Sequence, residues 1–186
     1  METRECIKTR RSIRRFTEQD VPDEVLTEIL EAARWAPSWS NTQCWEIIVV
    51  KDAETKQKLA DLCAPNNPAT KGVASAPVVL VLCGRKGVSG YKQGQLDSVK
   101  GDWCMFDLGI AAQNICLAAH DLGLGTVNVA WIDNKKIDEM FELPPDVESF
   151  ELIPLGYPAK EGKAPARKEL SEFVHWERFG NKQKPN

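Results

Sequence analysis

The stretch DWCMFDLGIAAQNICLAAHDL, residues 102–122, most limits what this chain can become. It reads as one helical segment, about 30 Å long at roughly 1.5 Å per residue. Apolar side chains ring most of its circumference, and small residues recur at Gly109, Ala111, Ala112, Ala118 and Ala119. A helix that is apolar all round must be buried all round. In a chain of 186 residues that means either the centre of the domain or a contact between subunits, and the pattern alone leaves both open. The GLG at 123–125 closes the segment with residues that tolerate left-handed backbone.

Shorter elements surround it. Helices are expected over about residues 3–10, from near Asp20 to the stop at Pro37, over 52–63 with Asp52 as N-cap, over 133–141 and over 173–179. In the second of these, Pro22 takes an early position and Asp23 and Glu24 the first turn. Val25, Leu26, Ile29, Leu30 and Ala33 mark its buried face at helical spacing. Strands are expected at 45–50, 77–83, 126–131 and 149–157. The run PVVLVLC at 77–83 is continuously apolar, which calls for cover on both faces. Residues 84–101 are glycine-rich and read as a loop, and the segment 64–72 carries no sharp motif. This irregular alternation points to three layers of helix and sheet. A single domain over 1–180 is expected, followed by a polar tail at 181–186.

Composition narrows the function. Lys+Arg total 24 against 27 Asp+Glu, a net charge of −3, whereas a dedicated nucleic-acid binder is usually far more basic. No apolar run reaches the roughly 18 residues of a bilayer span. The first fifteen residues lack the apolar region of a secretory signal, and Glu2 and Glu5 argue against a mitochondrial leader, so a cytoplasmic location is expected. The six cysteines are widely spaced without a CxxC, and a disulfide framework is not expected. Two histidines, His120 and His175, form no metal-ligand pattern, and no GxSxG accompanies them to suggest a hydrolase.

Lys8, Arg10, Arg11, Arg14 and Arg15 fall within eight residues, with Ser12 among them. The run is either a solvated helix end or a phosphate clamp, since arginine binds phosphate oxygens in bidentate fashion and serine adds a short donor. A second basic pair, Arg167 and Lys168, follows Pro165. A phosphate monoester carries nearly two negative charges, which cations from both ends of the chain would neutralise if the fold brought them together.

Four segments in order, RRSIRRF (10–16), APSWSNTQCWEIIVV (36–50), LGIAAQNICLAAHDLGLGT (108–126) and LGYPAKEGKAPARKEL (155–170), resemble the nitroreductase family of flavoproteins. The resemblance runs from Arg10 to about Gly180. It implies an α+β fold, a three-layer α-β-α sandwich with a mixed sheet and a long central helix, assembled as a homodimer with FMN at the subunit interface. By the same resemblance, Arg10, Arg11, Ser12 and Arg14 bind phosphate and ribityl chain, and Arg167 with Lys168 supplies a second phosphate contact. Pro37, Ser38, Trp39, Ser40 and Asn41 resemble the loop that lines the flavin ring from the partner subunit. Gln43 offers an amide, Lys71 stands for the N1/O2 side, and Asn128, Val129 and Ala130 lie near N5. Asn41 and Gln43 also suit ordinary turn hydrogen bonding. The sequence departs from the family pattern where Cys44 replaces a proline, where the bulky Trp39 stands in the loop, and where Ala130 and Trp131 replace Glu and Gly.

The resemblance implies an oxidoreductase that takes hydride from NADH or NADPH and reduces a small-molecule acceptor, a nitroaromatic or quinone, by a ping-pong route. No catalytic side chain and no metal are expected, because the flavin carries the chemistry. Alternatives are a specialised flavin enzyme of the same fold, of dehalogenase or flavin-destroying type, and a non-enzymatic flavin-binding protein. No nucleic-acid or membrane partner is expected.

Overall fold

The computed structural model describes residues 1–185; Asn186, the last residue of the expected tail, lies outside the described residues. In chain order the elements are α1 (Thr3–Thr9), α2 (Asp23–Arg34), a single 3-10 turn (Trp39–Asn41), β1 (Trp45–Val50), α3 (Ala53–Asp61) and α4 (Thr70–Ser75). There follow β2 (Val78–Arg85), the hairpin strands β3 (Tyr91–Lys92) and β4 (Gln95–Leu96), α5 (Cys104–Asp121), β5 (Gly125–Thr126), α6 (Asn134–Met140), β6 (Val147–Gly156) and α7 (Leu170–Phe173).

The main sheet has the order β1-β2-β6-β5, and each neighbouring pair is antiparallel. Its parallel component is a single bridge between Ser12 and Thr126. β2 is the centre of the molecule. Val78, Leu80 and Leu82 point into a core shared with Leu26, Ile29 and Ala33 of α2 and with Leu108, Ala111 and Ile115 of α5. The alternate residues Val79, Val81 and Cys83 point into a second core with Leu59 of α3, Val73 of α4, Ile137 of α6 and Leu152 of β6. The side-chain period of two along a strand sends one set to each face. Helices therefore cover both sides of the sheet, the three-layer α+β arrangement expected for a run apolar at every position.

Local signals set the helix ends. The Asp52 carboxylate accepts from the Thr55 N–H at 2.7 Å and caps α3. Asp133 does the same for α6 through Lys136. The helix α4 is unforeseen; it starts from a turn in which the Asn67 side chain accepts from Ala69 N–H. Two elements need correction. The expected strand at 126–131 pairs as a strand only at Gly125–Thr126. Beyond it the backbone leaves the β6 edge, touching it again at Val129–Leu152, while the Trp131 carbonyl accepts from Ala64 N–H and Asn67 Nδ2. The closing helix lies at Leu170–Phe173 rather than 173–179, because Glu169 and Glu172 form a reciprocal capping box that starts it early. At the start of the expected polar tail, Lys182 Nζ donates to the carbonyls of Glu172 and Val174.

The long helix α5 is covered on one side only. Its buried side holds Leu108, Ala111, Ala112, Ile115, Cys116 and Ala119, but Met105 and Phe106 are 69% and 60% exposed. Within one protomer the helix is therefore only partly covered.

Residues 12–16 run along the β5 edge, where Ile13 N–H donates to the Thr126 carbonyl at 2.9 Å. They approach so closely that a Cβ at Gly125 would sit 2.5–2.6 Å from Ile13 side-chain atoms. Gly125→Ala is expected to cost about 1–3 kcal/mol through overpacking, read as a lower urea midpoint with an unchanged slope.

Candidate functional site

Both ends of the chain meet at one place. After β6, Tyr157 accepts from Thr17 N–H, Ala159 N–H donates to the Arg15 carbonyl, and Phe16 bridges Pro158. This strap carries the C-terminal basic residues back over the N-terminal ones. Arg10, Arg11, Ser12, Arg14, Lys163, Pro165 and Arg167 line one cavity of about 340 Å³. The convergence of residues near 10 and near 167, which spacing alone left open, is present. Lys163 joins them without any motif to announce it, and Lys168 is exposed and outside the lining.

Among the described residues, none of the five cations around this cavity forms an ion pair with a carboxylate. Arg11 Nη1 instead donates to the carbonyls of Lys8 and Arg10, at 2.6 and 2.8 Å. Five positive groups around a small cavity in a net-acidic chain are suited to an anion of high charge. The helix α4 backs the same segment. A Cβ at Gly72 would lie 2.8 Å from the Arg14 carbonyl oxygen, which places the start of α4, and with it the exposed Lys71, beside the clamp.

The loop 37–43 forms a second feature. Pro37, Asn41 and Gln43 line a cavity of about 380 Å³ with Arg34, Trp35 and Ala36. Ser40, Asn41 and Gln43 all have left-handed backbone, with φ of 47°, 57° and 51°. Non-glycine residues in this region cost of order 1 kcal/mol each, and they persist only where the surroundings over-determine them. The surroundings here are the Ser38 hydroxyl, which accepts from Gln43 N–H at 2.9 Å, and the Asp107 carboxylate, which accepts from Trp39 N–H at 3.1 and 3.2 Å. Asn41 and Gln43 are left exposed, with their amides free of protein partners among the described contacts, while Ser38 and Trp39 are half-buried. Cys44 is buried with its sulfur 3.9 Å from Asp107 Oδ2, a packing position. The neighbouring Cys44 sulfur and burial hold the Cys104 thiol protonated, above its ordinary range.

The segment 128–130 forms the third. Asn128 and Ala130 are exposed and line a cavity of about 590 Å³ together with Met105, Gly109, Phe150 and Glu151; Val129 between them is buried and bridges Leu152. Burial in this cavity pushes the Glu151 carboxyl up to about 7. The three cavities share no lining residue within one protomer.

The model of the family described as Nitroreductase family matches residues 7–157. The chain belongs to this family. A protein of Methanothermobacter thermautotrophicus, provisionally named as an NADH dehydrogenase/NAD(P)H nitroreductase, is 36% identical over 185 residues, covering 96% of this chain and 88% of its own. The FMN reductase [NAD(P)H] of Bacillus subtilis is 30% identical over 182 residues, covering 92% of this chain and 72% of its own. The crystal structure of a nitroreductase family protein from Clostridium difficile 630 superposes with a TM-score of 0.82 at 28% identity, over 96% of this chain and all of that one. The overall fold is thus the one these family members share. Among the described residues no helix is long and apolar enough to cross a membrane.

In this member of the family the raised Glu151 makes a specific demand on stability. Its folded pKa lies above its unfolded one, so the folded state binds more protons between about pH 4.5 and 7. Stability contributed by the neutral carboxyl is full below that window and is lost as pH rises through it. Glu151→Gln is expected to flatten this fall and to raise the thermal midpoint at pH 8, with an upper bound of about 3 kcal/mol, measured by melting curves from pH 4 to 8.

Proposed function

We propose that this chain is an NAD(P)H-dependent flavin oxidoreductase that holds FMN at the interface of a homodimer and reduces nitroaromatic, quinone or similar small-molecule acceptors. The observation that carries this reading is the cavity lined by Arg10, Arg11, Ser12, Arg14, Lys163 and Arg167, whose cations pair with no carboxylate among the described residues. Its donor set fits a phosphate monoester. When bound, FMN supplies two-electron hydride chemistry.

The protein's own part is to bind and orient. The arginines and Ser12 fix the phosphate by charge-assisted hydrogen bonds. Asn41 and Gln43 offer donor and acceptor together to a pyrimidine edge. Lys71 supplies a positive charge where electron density collects on reduction. Asn128 and Ala130, on either side of the buried Val129, line the 590 Å³ cavity, roomy enough for one planar reactant at a time. That supports a ping-pong order in which the nicotinamide leaves before the acceptor enters. No side chain need act as acid or nucleophile.

A homodimer is supported by the exposed Met105 and Phe106 stripe on α5 and by the separation of the three cavities within one protomer. A second copy would bring its loop 37–43 to the clamp of the first.

The purified protein is expected to be a yellow dimer whose flavin band is bleached under nitrogen by NADH or NADPH and restored by a nitroaromatic or quinone. Double-reciprocal plots at several acceptor concentrations are expected to be parallel. A yellow protein that neither nicotinamide bleaches would instead favour flavin binding without catalysis, and a colourless monomer would refute the reading. Arg14→Ala and Arg167→Ala are each expected to weaken FMN binding by roughly tenfold or more. Riboflavin, which lacks the phosphate, is expected to bind both variants as it binds the unmutated chain, as read by fluorescence titration.

A further inference from the structure

Asp107 is 1% exposed, in the first turn of α5, and among the described residues no cation pairs with it. Its carboxylate is occupied from three directions. Both oxygens accept from Trp39 N–H, at 3.1 and 3.2 Å. The hydroxyl of the fully buried Ser89 donates to Oδ2 at 2.6 Å, and the Cys44 thiol lies 3.9 Å from the same oxygen. Ser89 in turn meets the Thr42 hydroxyl at 2.5 Å, and its carbonyl accepts from Trp103 N–H, the residue preceding α5. One buried carboxylate thus ties together the start of α5, the 84–101 loop through Ser89, and both arms of the loop 37–43 through Trp39 and Thr42.

A buried carboxylate is costly and is retained only where its lone pairs are used. The use here is specific. One donor, Trp39 N–H, belongs to the loop that carries three left-handed non-glycine residues, and a second, Ser89, reaches the same loop through Thr42; the loop presents Asn41 and Gln43 outward. A neutral apolar residue at 107 would leave Trp39 N–H and the Ser89 hydroxyl without their acceptor. The helix N-terminus also favours a negative charge at this position.

We infer that Asp107, through Trp39 and the Ser89–Thr42 hydroxyl pair, is the positioning residue that holds the loop 37–43 in the shape needed to contact the flavin of the dimer. This rests on the proposed reading that Asn41 and Gln43 meet the flavin ring. Asp107 itself touches neither cofactor nor substrate, so it acts on the orientation and retention of the bound ring rather than on any proton or electron.

The test compares holoenzymes of Asp107→Asn, Ser89→Ala, Asn41→Ala, Gln43→Ala and Leu59→Ala, the last destabilised in the opposite core. Three readouts apply: amide hydrogen exchange at Trp39–Gln43, visible-range circular dichroism of the bound flavin, and the FMN dissociation constant by dialysis. Asp107→Asn is expected to speed exchange at the Trp39 amide, alter the visible dichroism and raise the FMN dissociation constant roughly tenfold. Ser89→Ala is expected to move all three the same way by less, and it decides the matter if Asp107→Asn does not fold. Leu59→Ala is expected to lower the thermal midpoint without changing the dichroism. If Asn41→Ala or Gln43→Ala alters the flavin signal while Asp107→Asn and Ser89→Ala leave it and the exchange unchanged, the positioning role is overturned with the loop reading intact. If neither amide variant has any effect on the flavin, the loop does not meet the ring, and the inference falls together with that part of the proposed function.

Discussion

Positive charges of like sign do not gather unless the fold compels them. Two of them about 6 Å apart near a protein surface repel by about 3 kcal/mol at an effective dielectric of about 20. Five line the cavity between Arg10 and Arg167, and no carboxylate among the described residues offsets them. What compels them is backbone geometry. Segment 12–16 is fastened to the β5 edge by Ile13 and Ser12, and the strap after β6 is fastened to segment 15–17 by Tyr157, Pro158 and Ala159. Because β5 and β6 are neighbours in the sheet, the two ends of the chain leave the same edge and must run side by side. The clamp is thus a consequence of sheet order, and the packing of β2 on both faces is what keeps that sheet in place.

The same sheet explains why the remaining site elements are distributed as they are. The loop 37–43 connects α2 to β1, the edge strand opposite β5. Segment 128–130 leaves β5. One protomer therefore carries the basic cavity at one edge of its sheet and an amide-bearing loop next to the other. If the two edges belong to different copies, a ligand that combines a phosphate with a planar ring would take its phosphate contacts from one chain and its ring contacts from the other. A two-fold related pair satisfies this without new structure, since each copy then gives one loop and receives one.

Much of this was legible before any coordinates. PVVLVLC announced a strand covered on both faces because every position is apolar, and the structure covers it with α2 and α5 on one side and α3, α4 and α6 on the other. The basic run at 10–15 and the pair at 167–168 left open a solvated helix end or a phosphate clamp; the fold brings Arg10, Arg11, Arg14 and Arg167 into one lining and leaves Lys168 outside it. The segment 126–131 misled because alternating apolar residues signal extended backbone, not a partner; whether Val127–Trp131 pairs with β6 or is drawn to Ala64 and Asn67 is a long-range matter. Lys163 has no local signature, lying in a polar strap between Gly162 and Ala164. Asp107 was invisible for a different reason. An acidic residue in the first turn of a helix has a sufficient local explanation in the helix dipole, and its partners Trp39 and Ser89 are 68 and 18 residues away.

The open stripe on α5 links the folding and the functional arguments. A helix with Met105 and Phe106 mostly exposed and with Gly109 and Gln113 beside them has a polar content too low for a permanently solvated face. Gly109 has no atom within 4 Å of where its Cβ would lie, so its smallness serves no contact inside the protomer. In a single chain that glycine only weakens the helix, by roughly 1 kcal/mol relative to alanine. Its presence is accounted for if another backbone packs closely against it, which small residues on a helix permit and larger ones prevent. The same face borders the 590 Å³ cavity through Met105 and Gly109, so a copy packed there would also form one wall of the space beside Asn128 and Ala130. Association and the shape of the acceptor pocket would then be set by the same few side chains, and a substitution at Gly109 that enlarges the residue would alter both together.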